Sequence, residues 1–126
     1  MQLTLCVNDI HGGNLEIIFS TKKLEKEFND STLLQRRHGH RRAKLIRRRL
    51  DELRAAESLS VMRQLPAARC HELIGNRSGQ LSVDLDHPYR LIFKPYDNPI
   101  PQKPDGGLDW TRITKIKIVE IEDTHE

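Results

Sequence analysis

The hydrophobic period of this chain changes once, at Pro66, and that change limits the folds open to it. Before it, Ala43, Ile46, Leu50 and Leu53 recur at spacings of three, four and three, one apolar stripe of a helix running from Ser31 to about Glu57. After it, apolar residues alternate: in QLSVDLD, Leu81, Val83 and Leu85 face one way and Ser82, Asp84 and Asp86 the other. RCHELI, YRLIFKPY and ITKIKIVEIED read as further strands, separated by the turns GNRSG and Asp86-His87-Pro88. Upstream, NLEIIFS reads as a first strand near residues 15–19, and Ser20 or Thr21 caps a short helix ending near Asn29-Asp30, with Leu24 and Phe28 on one face. Gly39 is a costly helix-interior residue, so the long helix is expected to break or begin there. SLSVMRQL is a short helical turn capped by Ser58 or Ser60 and stopped by Pro66. This order predicts an α+β fold, with an N-terminal strand and two helices followed by an antiparallel sheet of about four strands, the helices on one face.

Residues 1–13 end in a Gly-Gly turn signal and read as an N-terminal extension to a single domain at 14–126. Between the last two strands, residues 97–110 hold three prolines and a Gly-Gly pair, and are expected to form an exposed loop. No apolar run approaches the ~20 residues of a membrane span, and the N-terminus lacks the pattern of a signal peptide, so a cytoplasmic protein without a membrane partner is expected. Cys6 and Cys70 show no metal-ligand spacing, and Cys70 and its neighbour His71 point to opposite faces of a strand. They read as ordinary small residues, with no metal and no cofactor implied.

Charge is distributed unevenly. Residues 36–54 carry nine Lys/Arg against two acids, a local +7 in a chain whose net charge is +3. That segment, with Arg41, Arg42, Lys44, Arg47 and Arg48, is the candidate polyanion surface. A solvated helix face, or a dock for an acidic partner, fits the same composition.

The chemistry-bearing candidates lie downstream. His71 and His125 each stand at the edge of a strand-like run, so both are placed to reach one cleft, and histidine both takes and gives protons near neutral pH. RNA cleaves itself when its 2′-hydroxyl is deprotonated, its phosphate charge neutralised and its leaving oxygen protonated. His71 and His125 fit the proton transfers, Asp123 fits orientation or base, and Arg77 and Arg90 fit bidentate phosphate contact. Strand parity sets Asp123 and His125 on the face of Val119 and Ile121. The plainer alternatives are a structural strand histidine, a hairpin-tip charge at Arg77 and a cross-strand partner for an acid at Arg90. His11, His38, His40 and His87 are weaker candidates.

The block RLDELRAAESLSVMRQLPAARCHELIGNRSGQLSVDLDHPYRLIF, with the terminal ITKIKIVEIEDTH, resembles the HigB-type toxins of the RelE/ParE superfamily, also grouped under killer or killer-suppression names. The resemblance spans about residues 15–125 and is most specific from 49 to 93, where His71-x-Leu73-x-Gly75, the Gly79 turn and YRLIF from Tyr89 carry it. It implies a small antiparallel sheet with two N-terminal helices, ribosome-dependent cleavage of messenger RNA, and neutralisation by a cognate helix-turn-helix antitoxin of HigA type, in a complex that binds operator DNA. It sets His71 on the family's strand histidine, Arg90 on its strand arginine, and Asp123 and His125 on the first and last places of a terminal Asp-Tyr-His.

Two positions depart from the family pattern. Ile74 stands where the family commonly has lysine, and Thr124 where the triplet has tyrosine. Isoleucine cannot neutralise a phosphate and threonine has no phenol, although Arg77 is placed to restore the charge. The departures favour a second reading on the same fold, a degenerate toxin that binds its antitoxin and regulates the operon, or a ParE-like gyrase inhibitor. A general RNA-binding domain ranks below both, because Tyr89, Phe93 and Tyr96 are too few and too scattered for a stacking platform.

Overall fold

The computed structural model of the chain describes residues 14–124. β1 (Glu16–Phe19) leads into α1 (Lys22–Phe28) and α2 (Ser31–Ala55); a 3-10 turn at Leu59–Gln64 follows. Then come β2 (His71–Glu72), a second 3-10 turn at Gly75–Arg77, β3 (Leu81–Asp84), β4 (Tyr89–Pro95) and β5 (Lys115–Asp123). The proposed extension at residues 1–13, with Cys6 and His11, and the candidate His125 lie outside the described residues.

The helices begin where side chains satisfy their free N–H groups. Thr21 Oγ1 accepts from the Leu24 amide at 3.0 Å and Asp30 Oδ1 from the Leu33 amide at 3.1 Å. The predicted break in α2 is present: Gly39 has φ +83°, a left-handed conformation that glycine adopts without steric cost. Beyond it, the stripe Ala43, Ile46, Leu50 and Leu53 is buried against Leu81, Val83, Leu91, Phe93, Ile116 and Ile118 of the sheet. Each fully buried Leu, Ile or Phe there contributes roughly 1.5–3 kcal/mol.

The sheet has the order β1-β5-β4-β3-β2. The four strands after the helices pair antiparallel, as expected, and β1 joins them parallel to β5, Ile17 opposite Ile116 and Phe19 opposite Ile118, so the five-stranded sheet is mixed. Period-two alternation identifies a strand but not the direction of a partner about a hundred residues away. The RCHELI strand is also shorter than expected, pairing only at His71 and Glu72. The loop at 97–110 is anchored at two points, because Pro101 and Trp110 are buried.

One irregularity decides which face β5 presents. Ile92 pairs with Glu120 but Phe93 pairs with Ile118, so Val119 is an extra residue, a β-bulge. Alternation changes phase there. Ile116 and Ile118 before the bulge and Ile121 after it all face the helices, while Lys117 before it and Glu120 and Glu122 after it share the opposite, open face.

Candidate active site

His71 is held from both sides of its short strand. The turn after Pro66 delivers Arg69 in a left-handed conformation, φ +44°, and directs its carbonyl oxygen to within 2.8 Å of His71 Nδ1. A carbonyl only accepts, so Nδ1 carries the proton and the neutral ring presents the Nε2 lone pair as a base. The next residue, Glu72, faces the other way and accepts from the buried indole of Trp110 at 2.8 Å. Arg63 stacks its guanidinium 4.0 Å from that ring. The proline-rich loop thus fixes the edge strand that carries His71.

Cross-strand register brings the other groups to the same face. His71 pairs with Ser82, Ser82 with Ile92, and Ile92 with Glu120; beside them Arg90 pairs with Glu122. Arg77 reaches over this row from the Gly75–Arg77 turn, donating to Gln80 at 2.9 Å and to Glu120 and Glu122. Arg90 donates to Glu122 at 2.8 Å. His71, Ile74, Arg77, Arg90 and Glu122 line one open depression of about 730 Å³. Burial alone would push the Glu122 carboxyl up, but the hydrogen bond and charge of Arg90, joined by Arg77, outweigh it and hold the group below its ordinary value of 4.5. Ser82 Oγ, beneath this row, is fully buried and the one such side-chain atom without a hydrogen-bond partner among the described residues.

The predicted residues divide between two faces. His71, Arg77 and Arg90 come together. Asp123 does not join them: it pairs with Tyr89, on the side of the sheet where the helices pack. It does share a face with Ile121, as parity predicted, but that face belongs to the core. Nor does the basic helix adjoin this depression, because α2 covers the opposite side of the sheet. Its residues are also unequal. Arg42 donates to Asp86 at 2.9 Å and lies 3.4 Å from the Tyr89 ring centroid, and Arg47 donates to the Phe28 carbonyl at 3.0 Å. Arg41, Lys44 and Arg48 remain exposed together around His40 and Leu45.

The two departures have distinct structural fates. Ile74 is 89% exposed, beside Arg77 in the same depression. Thr124 donates its hydroxyl and its amide to the Pro88 carbonyl at 2.7 and 2.9 Å, tying the strand end to the preceding turn. Cys70 is largely buried, and burial, slightly offset by Arg63, pushes its thiol up to about 12, so it is no nucleophile. Sequence reasoning missed Glu120 and Glu122, although both stand in the last strand, opposite a strand holding Arg90.

No helix of the described residues is long and apolar enough to cross a membrane. A family model described as the RelE-like toxin of type II toxin-antitoxin system HigB matches residues 17–103, more than two-thirds of the chain. β5, with Glu120, Glu122 and Asp123, lies beyond the matched segment. The fold is similar to that of the YoeB/ParE toxin from Agrobacterium tumefaciens, at a TM-score of 0.50 and 8% identity over 88% of this chain and 100% of that one. A second similar structure is the YoeB-YefM complex from Staphylococcus aureus, with a TM-score of 0.47 and 16% identity over 89% of this chain and 99% of that one. No curated protein matches the chain.

Proposed function

The chain belongs to the HigB-like family of RelE-like toxins of type II toxin-antitoxin systems, and from that membership we propose that it is a cytoplasmic, ribosome-dependent endoribonuclease that cuts messenger RNA. The observation that carries the reading is the His71 Nε2 lone pair in a depression it shares with two arginines. His71 takes the proton of a 2′-hydroxyl, the 2′-oxygen attacks the adjacent phosphorus, and the bond to the 5′-oxygen breaks. Arg77 and Arg90 neutralise the phosphorane, exchanging a carboxylate partner for the phosphate. His125, from the terminal triplet the family resemblance implies, is assigned the proton for the leaving oxygen; Asp123 is left as a group that orients the strand end. The exposed cations Arg41, Lys44 and Arg48 are assigned to ribosomal RNA, with Arg42 and Arg47 in supporting positions. Residues 14–126 are taken as one toxin domain, and a HigA-type helix-turn-helix antitoxin as its partner at the operator.

The test is expression in a host without the antitoxin. Growth arrest with cut, translated messages is expected, and its loss in His71→Ala. Continued growth with intact messages, while the chain is folded and soluble, rejects the reading. A second reading has its own support: Arg77 and Arg90 are both already neutralised by carboxylates, and Ile74 adds no charge. Under it the chain is a toxin-fold module that binds antitoxin or inhibits gyrase. Gyrase inhibition with uncut messages selects the latter, and tight antitoxin binding without toxicity the former.

A further inference from the structure

The open face carries a second cationic cluster, at the far end of the sheet from His71, and its electrostatics are the reverse of the first. Lys94 on β4 and Lys117 on β5 are direct cross-strand partners. Like charges so placed repel and destabilise the pair. Among the described residues, neither ammonium makes an ion pair with a carboxylate. Lys117 instead sits 4.5 Å from the centroid of the Tyr96 ring, which is 47% exposed. Asp97 is nearby, but its carboxylate is engaged by the amide and hydroxyl of Thr114 and the amide of Lys115. Lys94, Tyr96 and Lys115 border a depression of about 900 Å³ that reaches Gly79. Gly79 closes the turn whose other side, Asn76 and Arg77, lines the depression beside His71. Glu16, the cross-strand neighbour of Lys115, makes no ion pair with it.

We propose that Lys94, Lys117 and Tyr96 form a second single-stranded RNA subsite, which holds a backbone phosphate between the two ammonium groups and stacks a base on the tyrosine. The inference rests on the RNA-cleaving reading and extends it along the sheet. At ~3.3 Å per residue along a strand and ~4.8 Å between strands, Lys94 lies roughly 12 Å from His71 at the backbone, a span that a few unpaired nucleotides cover. Two lysines without a carboxylate partner beside an exposed aromatic ring are the combination that single-stranded nucleic acid uses, charge for the backbone and a ring for any base. The same like-charge pair that costs stability in the free protein is relieved when a phosphate lies between its members.

The test uses full-length protein and a labelled, 2′-O-methylated single-stranded RNA oligonucleotide, followed by anisotropy at several salt concentrations. Loss of that phosphate contact in Lys94→Gln/Lys117→Gln is expected to flatten the slope of log affinity against log salt by about 0.7. Tyr96→Ala is expected to weaken binding by about ten-fold or more, and Lys103→Gln, in the loop, to change neither. Because the double variant removes a repulsion, it should melt no lower than the parent chain, which separates a binding role from a structural one. An unchanged slope and affinity in a folded double variant overturns the proposal, as does a parent chain without affinity for the oligonucleotide. Loss of antitoxin binding with RNA binding intact also overturns it, in favour of an acidic protein surface. A chain that binds RNA through these residues yet cuts no message retains the subsite and loses the nuclease reading.

Discussion

His71 Nδ1 and the Arg69 carbonyl oxygen, 2.8 Å apart, fix the ring tautomer of the residue on which the proposed chemistry turns. The fixed donor leaves the lone pair on Nε2, in a ring that lines the depression. Removing the imidazole should therefore cost catalysis far more than folding. His71→Ala is expected to lower message cleavage by about 10²–10⁴-fold while the thermal melt stays near that of the parent. Primer extension on a translated message measures the first and calorimetry the second; undiminished cleavage removes His71 from the mechanism.

Trp110 and Glu72 act on the same strand from its other face. Trp110→Phe keeps an aromatic ring in the core and deletes the indole N–H that Glu72 accepts. Cleavage is expected to fall while RNA affinity holds. Imidazole nitrogen chemical shifts of His71 should then report a mixture of tautomers or orientations. Unchanged shifts with unchanged cleavage would show that β2 is positioned without the loop.

Arg49 stands in the basic run yet is 5% exposed. It donates to the carbonyls of Asp84 at 2.7 Å and Ala67 at 3.1 Å, and to Glu52, tying α2 to β3 and to the turn before His71. Lysine cannot span both carbonyls. Arg49→Lys is expected to cost roughly 2–3 kcal/mol, the scale of charged hydrogen bonds left unmade, read from chemical denaturation. A loss below ~0.5 kcal/mol, the range of ordinary surface substitutions, would contradict the bridging role.

Glu122 sets a pH dependence whose sign follows from its depressed folded value. The stabilisation from Arg90 and Arg77 is fully present above the ordinary 4.5 and is lost as pH falls through the lower folded value. Stability should therefore decline with acid across that window in the parent chain and less steeply in Glu122→Gln. Parallel stability curves for the two proteins would show that the ion pair contributes no linkage.

Ser82 offers a test by removal. Its buried hydroxyl lacks a partner, so Ser82→Ala should be neutral or stabilising, by up to about 1 kcal/mol, in thermal melts. A marked loss of stability would mean that the hydroxyl is satisfied in solution.

Local order was legible because each element writes its own period. The stripe through Ala43, Ile46, Leu50 and Leu53, the break at Gly39 and the strand at Leu81–Asp84 all follow from near neighbours in sequence. What was not legible is non-local. The direction of β1 depends on a partner near the other end of the chain, and the anchoring of a proline-rich loop depends on Trp110 meeting Glu72. The site was half legible for the same reason: His71, Arg77 and Arg90 share a face through register with β3, β4 and β5. The separation of Asp123 and of the α2 arginines from them depends on which face the helices cover. Glu120 and Glu122 were hidden by the change of phase at Val119.

Because the bulge absorbs Val119, the two halves of the last strand already stand in one frame, with Ile118 and Glu120 opposite the consecutive residues Phe93 and Ile92. Deleting Val119 would leave Ile116, Ile118 and Ile121 inward and Lys117, Glu120 and Glu122 outward. Straightening the strand through Val119 would instead turn one half inside out, carrying Glu120 and Glu122 into the apolar interior or expelling Ile116 and Ile118 to solvent. A one-residue gap at this point in an aligned relative would thus mark a chain that keeps the same charged face on a regular strand.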